Sequence, residues 1–139
     1  MALEAYRENF RPSEVLDRPY VIASFGVMAA DDAGAARAEA WAYSHAMMRM
    51  STRRSFVVPT ADEAANYQYA PTERRIMEMR NAKIISGTGV EVGEKLKAWQ
   101  QRLDADELMI LNQGNAPAAI HRSTEVIADA LGLPQDVAG

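Results

Sequence analysis

The sequence predicts an α/β protein built on parallel strands, and three observations predict it. Leu108 to Leu111 is an unbroken apolar run between Asp104-Ala105-Asp106-Glu107 and Asn112-Gln113-Gly114-Asn115, the pattern of a strand buried on both faces. A helical period ends just before it and another begins just after it. A second near-continuous stretch, Tyr20 to Ala29, has the same character. Helix, buried strand, polar loop and helix form the unit of a parallel sheet or barrel. Ligands in such folds sit at the loops that follow the strands.

Ala2 to Phe10 reads as a short helix with Leu3, Tyr6 and Phe10 on one face, stopped by Arg11-Pro12-Ser13. It lacks a capping residue and reads as the tail of a longer element. In the strand 20–29, Ala23, Ser24 and Gly26 alternate with larger apolar residues; small side chains suit a crowded barrel interior. Asp31-Asp32 caps a helix that runs to about Met50, with Trp41, His45 and Met48 as one stripe and Tyr43, Met47 and Met50 beside it. Phe56-Val57-Val58-Pro59 is a short apolar piece, and 60–70 shows no period, so 51–70 reads as a mobile excursion.

Pro71-Thr72-Glu73 opens a helix with Ile76, Met77 and Met79 as apolar positions, which Ala82 to Ile85 extends until Ser86-Gly87 breaks it. Thr88-Gly89-Val90-Glu91 matches a capping box. The helix 89–103 carries Val92, Leu96, Trp99 and Leu103, expected to lie across a fully buried strand 108–111. The last helix starts at Pro117, repeats Ile120, Thr124, Ile127 and Leu131, and ends at Gly132 before Pro134.

The 139 residues amount to one domain, 1–139. A net charge of −4 speaks against a general nucleic-acid or anionic-membrane binder. No apolar run approaches the roughly 20 residues of a membrane span. Cysteine is absent, which excludes disulfides and thiolate chemistry and suits a cytoplasmic setting. His45 and His121 are the only histidines, so no metal-ligand cluster is expected. His45 reads as a packed structural residue and His121 as solvent-facing. Ser86-Gly87-Thr88-Gly89 is either a phosphate cradle or a plain helix start, without the spacing of a nucleotide-binding motif. Arg53-Arg54 and Arg74-Arg75 are solvated surface pairs or anion contacts. Asn112, Gln113 and Asn115 follow a strand and are candidates for lining a pocket.

Further stretches carry a resemblance. They are Tyr6-Arg7-Glu8-Asn9-Phe10-Arg11-Pro12-Ser13-Glu14, Arg18-Pro19-Tyr20-Val21, Ala29-Ala30-Asp31, Ser86 to Val92, Ala105 to Ile110, and Arg122-Ser123 with Glu125 and Ala128. In this order and spacing they resemble the late part of luciferase-like flavin-dependent monooxygenases. The resemblance implies the C-terminal part of a TIM (β/α)8 barrel, with two parallel strands and flanking helices. Residues 20–29 would be strand seven, 107–111 strand eight, and 51–70 a lid over the active site, with Arg53 and Arg54 as anion contacts on it. It implies flavin mononucleotide (FMN) or a deazaflavin as cofactor, and dioxygen and a small organic molecule as substrates. It implies a cofactor held mainly by strands this chain lacks, so tight binding by the isolated chain is not expected. Relatives often carry an Asp-His pair before the last helix, an Arg inside it and an aromatic after the Ser; Ala116, Pro117, Ile120 and Thr124 stand there instead. No catalytic residue carries over. Two strands cannot close a barrel, so the chain is expected to pair with copies of itself or with a complementing barrel segment. The alternative is a non-catalytic remnant that acts as an oligomeric interaction module.

Overall fold

The computed structural model describes residues 2–53 and 58–134, with the side chain of Arg53 outside that description. The elements are α1 (Ala2–Asn9), β1 (Ile22–Ala30), α2 (Ala33–Arg53), α3 (Ala61–Asn66), α4 (Pro71–Asn81), β2 (Ile84–Thr88), α5 (Gly89–Leu103), β3 (Glu107–Asn112) and α6 (Pro117–Leu131). The three strands form one parallel sheet in the order β2-β1-β3. This is an α/β arrangement that fits part of a TIM-barrel-like fold.

The sheet has one strand more than the two expected. Residues 84–88 are β2, although Ala82 to Ile85 read as an extension of the preceding helix and Ser86-Gly87 as its break. α4 stops at Ala82, where Lys83 N donates to Arg80 O at 3.0 Å. The branched pair Ile84-Ile85 then suits a pleated, half-buried strand better than a helix. β2 pairs only with Gly26 to Ala30 of β1, whereas β3 pairs with Ile22 to Val27 on the opposite edge.

Alternation along the strands sorts the two faces. Val27 and Ala29 are buried with Val92 and Leu96 of α5 and Ile127 of α6, and Phe25, Ile85, Leu108 and Ile110 pack around them. On the other face Ile22, Met109 and Leu111 are each more than half exposed. The expectation that 108–111 is buried on both faces is therefore corrected. Only Leu108 and Ile110 join the core, because nothing among the described residues covers the lower part of the second face. α5 does carry Val92 and Leu96 into the core, but it lies chiefly over β1 and β2 rather than over β3. Trp99 packs on Phe25 with ring centroids 5.8 Å apart and stays partly exposed, with Arg102 over its ring.

α5 and α6 approach closely at Gly89, where an added Cβ would stand 2.2 Å from the Val126 carbonyl oxygen. At the other end of α5, Arg7 donates to the carbonyls of Leu103 and Asp104 at 2.6 and 2.7 Å. That satisfies acceptors a helix end leaves open, and ties α1 to the bottom of the sheet.

The excursion 51–70 contains regular structure that its lack of a period did not announce. Ser51 to Arg53 complete α2, and 61–66 form α3. Thr60 caps α3, accepting from Glu63 N while Glu63 accepts from Thr60 N. Residues 54–57, including Arg54 of the proposed anion pair, lie outside the described residues.

Candidate functional site

The part of the second face that is covered bounds a groove of about 570 Å³. Its floor is Gly26, Ile84 and Leu111, paired across the three strands. α2 supplies Tyr43, Ser44 and Met47 as one wall, and α4 supplies Ile76 and Met79 as another. Arg80 and Lys83 stand at the turn that leads from α4 into β2. Gln113 closes the end above β3 and lies over Gly26, whose missing Cβ would come 3.1 Å from Gln113 Cγ. A pocket of this size with an apolar floor and a few polar groups is the usual form of a small-molecule site.

The three polar residues after β3 go to different places. Gln113 lines the groove, and its amide nitrogen donates to Leu111 O at 3.3 Å. Asn112 turns the other way, onto α6. Its Oδ1 accepts from Ser123 Oγ at 2.5 Å and its Nδ2 donates to Thr124 Oγ1 at 2.9 Å. Asn115 is a strut: its Nδ2 donates to Pro59 O at 3.3 Å and its backbone N–H to Glu39 at 3.5 Å. Asn112 and Asn115 are thus not among the lining residues of the groove. Arg53 is the last residue of α2. Its side chain and all of Arg54 lie outside the described residues.

His45 is buried in α2 behind the groove wall. Its Nδ1 lies 2.6 Å from the Tyr69 hydroxyl, which itself donates to Ala64 O at 2.9 Å. The hydroxyl has one proton, so Nδ1 is the donor in the first bond. Tyr67 and Tyr69 stand edge-on to the imidazole, and Trp41 to Tyr69. Burial raises the Tyr69 pKa above the ordinary phenol value, which keeps the hydroxyl neutral. This is the packed histidine expected from the sequence. It fastens the segment after α3 to α2.

At the start of α5 the two readings of 86–89 separate. Thr88 Oγ1 accepts from Glu91 N at 3.3 Å, and Glu91 Oε2 accepts from Thr88 N at 2.8 Å. The Glu91 carboxylate stands where a bound phosphate would, and a Cβ on Gly87 would meet it at 2.4 Å. The stretch is a helix start, and it does not fit the phosphate of a flavin nucleotide. Beside it, Arg122 holds both oxygens of Asp31, at 2.6 and 3.0 Å, and also Glu125. That pairing lowers the Asp31 pKa and raises that of Arg122. Among the described residues no group of three His, Cys, Asp or Glu side chains could hold a metal ion.

Tyr43 and Met47 were visible in the sequence as neighbours of the α2 stripe. Ser44, Arg80 and Lys83 carried no local pattern; only the packing of α2 and α4 on the sheet brings them to one groove.

The fold and this groove define a parallel α/β segment with a largely apolar groove on one sheet face. The chain is 30% identical over 128 residues to YvbT of Bacillus subtilis (strain 168), described as uncharacterized, across 92% of this chain and 38% of that protein. It is 25% identical over 112 residues to a luciferase-like monooxygenase of Escherichia coli (strain K12), across 81% of this chain and 33% of that one. The crystal structure of apo-MsnO8 superposes with a TM-score of 0.75 at 21% identity, covering 96% of this chain and 41% of that one, and supports the fold. The chain thus spans about a third to two-fifths of the length of the proteins it matches. No family profile matches it. No helix among the described residues is long and apolar enough to cross a membrane.

Proposed function

We propose that this chain is a segment of a luciferase-like, flavin-dependent monooxygenase, with β1 and β3 as adjacent barrel strands and the groove as part of the wall of the oxygenation chamber. The observation that carries the reading is the groove at Gly26, Leu111 and Gln113, on the sheet face that a barrel would turn inward, in a chain similar to a luciferase-like monooxygenase. The chain's own residues bind and position: the apolar floor excludes water, and Gln113 offers an amide at the rim. The start of α5 is closed to a phosphate by Glu91. FMN or a deazaflavin is therefore held by other parts of the barrel, and dioxygen and a small organic molecule are the co-substrates. A cytoplasmic setting, suggested by the cysteine-free sequence, belongs to the same proposal.

The test is a chimera in which this chain replaces the matching third of the Escherichia coli relative. Reduced FMN is mixed with air-saturated buffer, and its reoxidation is compared between chimera and parent. A chimera that reacts as the parent does supports the reading. A folded chimera without flavin reactivity beside an active parent contradicts it. The second reading, a non-catalytic module that pairs with copies of itself or with a complementing barrel segment, is favoured by the open apolar face at Ile22, Met109 and Leu111.

A further inference from the structure

We infer that the groove between α2, α4 and the sheet takes a carboxylate with an apolar body, its charge held by Arg80 and Lys83 and its carboxylate side met by Ser44. The inference deepens the proposed function and rests on it for the groove's part in oxygenation, though not for the binding itself.

Charge is the first observation. The chain is acidic overall, with a net charge of −4. Three other grooves each contain at least one carboxylate: Asp104 and Asp106 beside Arg7 and Arg18, Asp31 and Asp129 beside Arg122, and Glu125 beside His121. The groove over Gly26 has Arg80 and Lys83 and no carboxylate among its described lining residues. A pair of cations in a groove lined by no described carboxylate, next to an apolar floor, is complementary to an anion that brings its own hydrocarbon.

The second observation is independent of charge. Ser44 is 1% exposed, lines this groove, and its hydroxyl has no hydrogen-bond partner among the described residues. A buried hydroxyl without a partner costs stability, and a serine inside a helix usually donates back to the preceding turn. Here a ligand oxygen entering the groove would supply the missing acceptor. Met47, Ile76 and Leu111 give the hydrocarbon its contacts, and the neutral amide of Gln113 does not oppose the charge.

Isothermal titration with decanoate, decan-1-ol and decylamine below their aggregation limits tests this on the intact chain. Decanoate is expected to bind about tenfold tighter than the alcohol, the worth of one charge-assisted contact, and the amine is expected to be the weakest. The preference should vanish in Arg80→Gln/Lys83→Gln and persist in Lys97→Gln, which changes an exposed cation on α5. Ser44→Ala should weaken decanoate without lowering the melting temperature, since it removes a hydroxyl that has no partner in the free protein. Equal binding of decanoate and decan-1-ol, or a preference that survives the double substitution, would overturn the inference. So would displacement of decanoate by FMN but not by riboflavin, which would assign the two cations to a flavin phosphate. A chimera without flavin reactivity would leave these binding results standing, so the two failures are told apart.

Discussion

Ser123 joins three elements through one oxygen. It is fully buried, accepts from Ala29 N at 2.9 Å and donates to Asn112 Oδ1 at 2.5 Å. Ala29 lies beyond the last pairing of β1 with β3 at Val27 and Asn112, so on that side its N–H has no strand carbonyl to meet. Ser123→Ala should leave a buried donor and a buried acceptor open and cost about 2 kcal/mol in urea unfolding. The two glycines of α5 should separate in the same assay. Gly89→Ala forces a Cβ onto the Val126 carbonyl and should cost about 3 kcal/mol. Gly93→Ala meets Ala130 Cβ at an ordinary 3.4 Å and should be neutral or stabilising by up to about 1 kcal/mol through helix propensity. Asp106 sets part of the acid limit. The N–H of Val21 and the guanidinium of Arg18 hold its pKa below the usual carboxylate value. A lowered folded pKa contributes stability that is complete above the unfolded value of about 3.9 and fades as pH falls through the folded one. Unfolding free energy should therefore drop more steeply as pH falls below about 4 in the wild type than in Asp106→Asn.

Elements with their own local signals were legible in advance. Thr88 and Glu91 make the capping box their spacing promised, and Gly132 closes α6 in the left-handed region at φ 69°. Pro71 and Pro117 sit in first helical turns as read. The elements that the sequence misplaced depend on neighbours. Ile84-Ile85 continues an apolar pattern equally well as helix or strand, and pairing with Gly26 and Val27 decides it. An apolar run such as 108–111 tells that a strand is apolar, not how many of its faces are covered. α3 was hidden by an alanine-rich stretch, although Thr60 and Glu63 stand at capping-box spacing. Of the residues that line the groove, Gln113 stands at a loop position after a strand that the sequence makes readable, while the arrival of Ser44, Arg80 and Lys83 is a matter of helix packing. Thr60→Ala should cost about 1 kcal/mol, seen as faster amide exchange in 61–66 and a smaller change elsewhere.

At the scale of the whole molecule, the open face sets the behaviour. β1 and β3 pair as neighbouring parallel strands, and their second face shows Ile22, Met109 and Leu111 to solvent. Contiguous apolar surface of this kind is normally covered, so the chain should self-associate at micromolar concentration by light scattering; a strictly monomeric mass with a cooperative melt would contradict that. The most direct measurement uses the absence of cysteine in the sequence, which makes an introduced thiol free of background. Met109→Cys places that thiol on the face assigned to a barrel interior. The account predicts labelling near the rate of a free thiol in the dilute isolated chain, and protection in the chimera with the Escherichia coli relative, where the barrel is complete. A thiol protected in the dilute monomer, or equally reactive in a folded chimera, would contradict the assignment of this sheet to a luciferase-like barrel.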